Sequence, residues 1–202
     1  MRFSTLIRLV FLGVIVSSAN GQLFHFGPKK PTPPPMRKAS DFIQRQAPLK
    51  VNQSLLRQAT PDNVHVRVSL PRQRAYLMVG EQIAADSPIS SGKAGHSTPS
   101  GNFSVLEKDP DHRSSIYGDF VDASGRVVRA GISAKIDSAP SGTHYVGAPM
   151  TWFMRLTGEG VGMHVGILPG YPASHGCIRM PSDGAKLFYD TVKIGTPVTV
   201  GE

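Results

Sequence analysis

The strongest constraint on the fold is an alternation of apolar and polar side chains that begins just after residue 62. In the run VHVRVSL, residues 64–70, every second side chain is apolar and those between are polar. Because neighbouring side chains of a strand point to opposite faces, this period of two predicts a strand with one buried face.

Short apolar runs of the same kind follow to the end of the chain, separated by turns that contain Gly or Pro. The predicted strands are 75–79, 82–89, 103–106, 127–130, 152–156, 161–165 and 196–200. One helix is predicted from a cap at Ser182 to a stop at Gly195, because its apolar residues recur at helical spacing. Residues 62–201 therefore predict a mainly β, sandwich-like domain with one or two short helices.

The N-terminal segment has the pattern of a secretory signal. Arg2 and Arg8 form a basic start before an apolar run at 9–16, and the small residues Ser17, Ser18, Ala19 and Gly21 follow. Because eight apolar residues are far fewer than the roughly 20 that span a bilayer, we expect a cleaved signal over residues 1–21, with a retained anchor as the alternative. The location predicted for the protein is therefore outside the cytoplasm, in the periplasm or cell envelope.

Residues 22–61 predict a Pro-rich basic linker. Its stretch 26–38 contains five prolines, which favour an extended spacer. Residues 40–59 predict a short helix after a cap at Ser40, interrupted by Pro48.

The high net charge lies in the leader and linker. Residues 1–60 hold nine Lys or Arg and one acid, whereas residues 61–202 hold thirteen of each sign. A nucleic-acid-binding domain carries its own basic face, so the balanced charge of residues 61–202 argues against this function and we expect no nucleic-acid partner. We expect the basic tail either to contact an anionic membrane surface or acidic polymer, or to serve as a soluble tether.

The single cysteine, Cys177, lies in the run YPASHGCIRMP. It cannot form an internal disulfide, so it is a reactive thiol, half of an intermolecular bridge, or an inert buried sulfur. A thiolate is the reactive form, and a nearby histidine favours it by forming an ion pair. His175 and His164 are both candidates for this base, and spacing alone does not decide between them.

Two further residues near the thiol have alternative interpretations. Gly176 lets a carbonyl approach the backbone, so that the N–H groups of Gly176 and Cys177 form an oxyanion hole, or it is only a turn residue. Arg179 either binds a substrate carboxylate through two parallel bonds or pairs with Asp183.

The run GMHVGILPGYPASHGCIRMP, residues 162–181, resembles the signature of the YkuD-type L,D-transpeptidase catalytic domain. Residues 90–108 and the run PMTWFMRL are similar to other segments of this family, and the resemblance covers roughly residues 62–200. It implies that Cys177 is the nucleophile and His164 the general base. The base is oriented by the backbone carbonyl that follows it, here that of Val165, where many members have Gly or Ser.

The resemblance also implies roles for three neighbours. His175 shapes the pocket, Ser174 braces the loop, and the hydroxyl of Tyr145 joins the oxyanion hole. The implied activity is acyl transfer on peptidoglycan stem peptides, from a thioester to an amine on another stem, on a wall-attached protein, or to water. This chemistry implies neither metal nor cofactor. The Gly-, Ser- and Asp-rich residues 112–148, with a hairpin near Gly125, are predicted to border the substrate site.

Three other interpretations compete with this one. A cysteine peptidase or amidase of another fold uses the same residue pair, but its histidine normally follows the cysteine in sequence. A zinc site from His164, His175 and Cys177 has three possible ligands and lacks a nearby fourth. A non-catalytic wall-binding protein has no need of the thiol.

Overall fold

The computed structural model describes residues 45–201, so the predicted signal, most of the linker and the cap at Ser40 lie outside the described residues. The described part contains these strands and helices: β1 Lys50–Val51, α1 Gln53–Leu56, β2 Val64–Ser69, β3 Arg74–Val79, β4 Gln82–Pro88, β5 Gly101–Ser104, β6 Glu107–Asp109, β7 Arg113–Asp122, β8 Val127–Ser133, β9 Thr143–Pro149, β10 Phe153–Arg155, β11 Gly162–Val165, β12 Ile178–Met180, α2 Ser182–Thr191 and β13 Pro197–Gly201. Among the described residues, no helix has the length and hydropathy needed to cross a bilayer.

Six strands form the first sheet, in the order β1-β4-β3-β2-β13-β5. The alternation in β2 aligns with that in β3, where Val66 lies opposite Leu77, so the apolar side chains of both strands share one face. The last strand, β13, pairs in parallel with β2 and antiparallel with β5. This sheet buries its apolar face in the core.

The second sheet has the order β12-β11-β10-β6 and packs against the same core. Met154, Met163 and Ile178 lie side by side on its inner face, each at most 1% exposed. Two sheets with a shared apolar interior confirm the predicted mainly β, sandwich-like fold. The opposite face of this second sheet carries His164 and Arg179.

Helix α2 covers part of the core with Ala185 and Phe188, both fully buried. Its N-cap is Pro181 rather than the predicted Ser182, because the extended backbone of the proline presents its carbonyl oxygen to the N–H of Ala185 at 2.8 Å. The helix ends at Thr191, before the predicted stop at Gly195, which lies in the turn leading to β13.

The predicted helix over residues 40–59 is shorter in the described part of the chain. Helix α1 spans only Gln53–Leu56, after Pro48, and its N-cap is Asn52, whose side chain accepts from the N–H of Leu55. An Asn side chain is a strong capping group, which explains why the helix begins there.

A third sheet, β8-β7-β9, forms the excursion between β6 and β10, and we call it the lid sheet. Its hairpin turn contains Gly125, as predicted. The long strands β7 and β9 come unusually close: a Cβ added at Gly118 would lie 2.1 Å from the carbonyl oxygen of Val146, and one at Gly147 2.1 Å from that of Ser114. These two positions therefore require glycine.

Candidate active site

Parallel pairing of β11 and β12 brings His164 and Cys177 to the same face of the second sheet. His164 lies opposite Arg179 and Met163 opposite Ile178, so the same register places Gly162 opposite Cys177. His164 and Cys177 are then diagonal neighbours, with Cα atoms about 8 Å apart. The chain reverses between them through residues 166–176, as the Gly and Pro residues there predict.

The ring of His164 is held in one orientation. Its Nδ1 lies 2.7 Å from the carbonyl oxygen of Val165, the contact that the resemblance implies. Because a carbonyl oxygen only accepts, Nδ1 carries the proton and Nε2 is left as a proton acceptor. Burial lowers the pKa of His164 to about 4, so the imidazole is neutral near pH 7.

Cys177 lies immediately before β12 and is half-buried. Its Sγ donates to the carbonyl oxygen of Gly160 at 3.7 Å, and no hydrogen bond joins it to His164 within residues 45–201. Burial raises the pKa of the thiol, an effect that a backbone bond from Gly162 and the charges of Arg179 and Arg155 only partly offset.

The directions of these two pKa shifts oppose the thiolate–imidazolium ion pair that the sequence predicts. Burial disfavours the charged form of each group, so the structure favours a neutral thiol beside a neutral base.

A network around Ser174 fixes the turn that precedes the thiol. Its hydroxyl donates to the carbonyl oxygen of Cys177 and accepts from the N–H of Gly176 at 3.1 Å. Gly176 has φ +118°, a conformation that side chains disfavour, and its carbonyl oxygen accepts from the hydroxyl of Thr98 at 2.7 Å. Sequence reasoning missed Thr98, which lies 78 residues from Gly176.

The N–H groups of the predicted oxyanion hole are not equivalent. That of Gly176 points to the hydroxyl of Ser174, whereas that of Cys177 has no acceptor in the described chain. The amide of Cys177 is therefore the one that can bind a developing oxyanion without first losing a bond.

Arg179 is half-buried beside the thiol and lacks an acidic partner. No ion pair joins it to Asp183 or to any other acid among residues 45–201. The stem of its side chain fills the space above Gly166, where an added Cβ would lie 2.7 Å from Cγ. Its charge helps to lower the pKa values of Cys177, His164 and His175. A guanidinium in this setting can bind an anionic substrate group.

His175 is exposed and contacts two aromatic rings. Its ring stacks on Tyr117 of the lid sheet, with centroids 4.3 Å apart, and meets His96 edge-on at 4.9 Å. Burial, followed by the charge of Lys93, lowers its pKa. The lid sheet thus reaches the loop that carries the thiol. Nothing in the polar sequence around Tyr117 signals this contact.

Tyr145, predicted to join the oxyanion hole, lies in β9 of the lid sheet. Its hydroxyl donates to the carbonyl oxygen of Ser114 at 2.8 Å. Burial raises its pKa, so the hydroxyl remains a donor. Within residues 45–201, no cluster of three or more His, Cys, Asp or Glu side chains is arranged to hold a metal ion.

Comparison with solved structures finds the same fold in L,D-transpeptidases. An L,D-transpeptidase from Mycobacterium smegmatis is 23% identical over 68% of this chain and 58% of that chain, with a TM-score of 0.50. The L,D-transpeptidase LdtMt1 in complex with imipenem is 21% identical over 68% and 58%, with a TM-score of 0.51. The Ldtfm–avibactam carbamoyl enzyme is 25% identical over 68% and 48%, with a TM-score of 0.50. The chain thus spans 58% or less of each of these three structures.

No curated protein sequence matches the chain. The model of the YkuD family, described as the L,D-transpeptidase catalytic domain, matches residues 63–200. This match covers more than half of the 202 residues and includes every predicted site residue. The chain therefore belongs to the YkuD family of L,D-transpeptidase catalytic domains.

Proposed function

We propose that the protein is an exported L,D-transpeptidase that acts on peptidoglycan stem tetrapeptides. The nucleophile is Cys177 and the general base is His164. The observation that carries this proposal is the His164–Val165 hydrogen bond, because it leaves Nε2 free to accept a proton on the sheet face that also carries the thiol.

The reaction begins when the thiol rotates about its Cα–Cβ bond from Gly160 towards His164. The S–H proton passes to Nε2 as Sγ attacks the carbonyl of an L-residue, and the N–H of Cys177 stabilises the oxyanion. The C–N bond to the terminal D-residue then breaks, and its amine leaves with the proton from His164. A thioester on Cys177 remains.

The second half of the reaction transfers the acyl group to an amine. The amine attacks the thioester carbonyl, its proton passes to His164, and the C–S bond breaks to restore the thiol. The acceptor is another stem peptide or a wall-attached protein, and water as acceptor makes the same site a carboxypeptidase. In the donor complex, Arg179 binds the carboxylate of the departing D-residue, which agrees with its lack of an acidic partner.

Incubation of the protein with a defined stem tetrapeptide, with and without an amine acceptor, tests the proposal. We expect release of the terminal D-residue, an acyl adduct at Cys177 seen by intact mass, and a cross-linked product only with the amine. Cys177→Ala should lower turnover at least about 10³-fold with the thermal unfolding midpoint unchanged. Turnover by that variant within about 10-fold of the unmodified protein would exclude the thiol mechanism.

The proposal also gives a role to the residues before the catalytic domain. Residues 1–21 direct export, and the Pro-rich basic residues 22–61 tether the catalytic domain within the envelope, where they contact anionic lipid or wall polymer. Mass spectrometry of the N-terminus of the secreted protein distinguishes a cleaved signal from a retained anchor.

A further inference from the structure

Gln73 is a buried polar residue that has no part in the proposed reaction steps. It lies in the turn before β3, is 7% exposed and has φ +51°, a left-handed conformation that is uncommon for a residue other than glycine. Such a conformation persists only where the surrounding structure holds it. The contacts of the side chain show what holds Gln73.

The side-chain amide of Gln73 binds Ser91 through two hydrogen bonds. Its Oε1 accepts from the N–H of Ser91 at 2.9 Å, and its Nε2 donates to the hydroxyl of Ser91 at 2.8 Å. Nε2 also donates to the carbonyl oxygen of Leu70 at 2.6 Å. Ser91 is 3% exposed. A buried network whose members are all paired is rigid, so Gln73 fixes Ser91 relative to the first sheet.

The carbonyl oxygen of Ser91 in turn binds the loop that carries the thiol. It accepts from the N–H groups of Ala173 at 2.9 Å and Ser174 at 3.0 Å. Ser174 is 1% exposed, and its hydroxyl donates to the carbonyl oxygen of Cys177. A continuous series of hydrogen bonds therefore leads from Gln73 on the first sheet to the backbone of the nucleophile.

Part of the predicted linker contacts the other end of this series. Gln46 and Ala47, which we call the strap, lie just before β1. The side chain of Gln46 donates from Nε2 to the carbonyl oxygen of Ile89 at 2.9 Å and to that of Gln73 at 3.3 Å. Since Ile89 is two residues before Ser91, the strap joins the two chain segments whose side chains meet at Ser91.

Arg74 fixes the strap from the neighbouring position. Its Nη1 donates to the carbonyl oxygen of Ala47 at 2.5 Å, and its Nε pairs with Asp86 at 2.6 Å. Arg74 directly follows Gln73, so the residue that binds the strap and the residue that binds Ser91 are adjacent in the chain. Chains of hydrogen bonds of this kind can couple distant positions energetically.

We propose that Gln73 is a positioning residue for the nucleophile and that the strap acts on the thiol through it, so that docking of this part of the linker regulates acyl transfer. The inference rests on the proposed function for the reaction that is regulated. Gln73 holds Ser91, Ser91 holds Ser174, and Ser174 sets the turn that directs Cys177 towards His164. Displacement of the strap loosens this turn, which slows acyl transfer and exposes the thiol to solvent.

The variant Gln73→Asn tests the positioning role. Asn adopts a left-handed backbone readily, but its amide is one methylene shorter and does not reach Ser91. With the full chain assayed below its thermal unfolding midpoint, we expect kcat for D-residue release to fall about 10-fold and KM to change less than about 2-fold. A merely structural role would lower the unfolding midpoint and leave kcat of the folded protein unchanged.

Two further variants give this result a residue-level meaning. Gln82→Asn removes the same methylene from an exposed amide on β4 and should leave kcat unchanged. Ser91→Ala removes one of the two bonds to Gln73 and keeps the other, so kcat should fall by less than in Gln73→Asn. An unchanged kcat in Gln73→Asn would overturn the positioning role.

A double-mutant cycle tests the coupling to the strap. Gln46→Ala should lower kcat about 2- to 3-fold, and its combination with Gln73→Asn should cost less than the product of the two single effects, because both act on the same Ser91 contact. No effect of Gln46→Ala, or effects that multiply in full, would show that the strap does not act through Gln73.

Alkylation separates this inference from the proposed function. Cys177 is the only cysteine of the chain, so intact mass follows its reaction with iodoacetamide without any donor. We expect Gln73→Asn to be alkylated about 5-fold faster than the unmodified protein, because the loosened turn opens locally, and Gln82→Asn to match the unmodified protein.

The two proposals then fail in different ways. If the unmodified protein turns over no donor but Gln73→Asn speeds alkylation, the transpeptidase proposal fails and the positioning role stands. If donor is turned over and Gln73→Asn changes neither kcat nor alkylation, the positioning role fails and the transpeptidase proposal stands.

Discussion

His164 keeps its imidazole neutral because it is buried, and this has a consequence for the pH dependence of acylation. Its pKa is lowered to about 4 and the pKa of the Cys177 thiol is raised. Since a general base must be unprotonated, the acylation rate should rise as pH increases through about 4 and stay level to pH 8. A preformed ion pair would instead give a bell-shaped profile.

The rate of adduct formation with a small acylating agent, followed by intact mass between pH 3.5 and 9, measures this profile. A carbapenem-type reagent is suitable because it carries its own electrophilic carbonyl. An inflection near 6.5 would show that His164 titrates at its ordinary pKa and would contradict the effect of burial.

Gly176 allows a second prediction at the residue scale. An added Cβ meets only Val161, at an ordinary 3.7 Å, so space is available, but φ +118° disfavours any side chain. Gly176→Ala should therefore destabilise the fold by about 1–3 kcal/mol and slow acylation, because the turn also sets the position of Cys177.

Denaturant unfolding and the adduct assay measure these two effects. Gly158→Ala is the matched control, since Gly158 has open space around its Cα and no left-handed φ. Equal stability of the two variants would show that the turn relaxes without cost.

The lid sheet contacts the candidate active site through one aromatic side chain. Its Tyr117 stacks on His175, two residues before the thiol. Tyr117→Ala should raise KM for a donor tetrapeptide about 3- to 10-fold, the equivalent of one lost aromatic pair, while the rate of adduct formation changes less.

Steady-state kinetics of D-residue release measures this change. Tyr76→Ala, on β3 of the first sheet, removes the same ring from a remote strand and is the control. An unchanged KM in Tyr117→Ala would contradict a lid sheet that borders the substrate.

The strands that the sequence predicts have one buried face, whereas the strands that it misses do not have a regularly buried face. Strand β2 alternates because one of its faces is packed, and a period of two is visible in its residues. Strand β7 carries Ser and Asp on both faces, and β9 mixes Thr, His, Tyr, Val and Gly, so no period of two marks either strand. Their pairing depends on close backbone contact at Gly118 and Gly147.

The same limit applies to the site. Cys177 and the two histidines are recognisable from their spacing and neighbours. Arg155 and Thr98 are not recognisable, because they lie 22 and 79 residues before Cys177 in sequence. Sheet register brings Arg155 near the thiol, and a long-range hydrogen bond brings Thr98 to the turn before it. The neutral state of His164 and Cys177 is not predictable from the sequence either, since it depends on how deeply the fold buries them.

At the scale of the whole molecule, charge is divided between tail and domain. Residues 1–60 hold nine bases and one acid, and residues 61–202 are balanced. Replacing Lys29, Lys30, Arg37 and Lys38 with Gln should abolish binding of the full chain to anionic vesicles at low salt and leave donor turnover in solution unchanged.

Vesicle co-sedimentation over a range of salt concentrations measures this binding. For the unmodified chain, binding should fall steeply above about 0.1 M salt, where screening shortens to about 10 Å. Salt-independent binding that survives the four substitutions would assign the contact to the apolar residues 9–16 instead.

The position of β13 has a consequence for the order in which the first sheet forms. This strand, Pro197–Gly201, lies inside the sheet between β2 and β5, although both of those strands come far earlier in sequence. Contacts of such long sequence separation form slowly. Strands β2 and β5 therefore stay unjoined until β13 inserts between them, which makes completion of the first sheet a late step of folding.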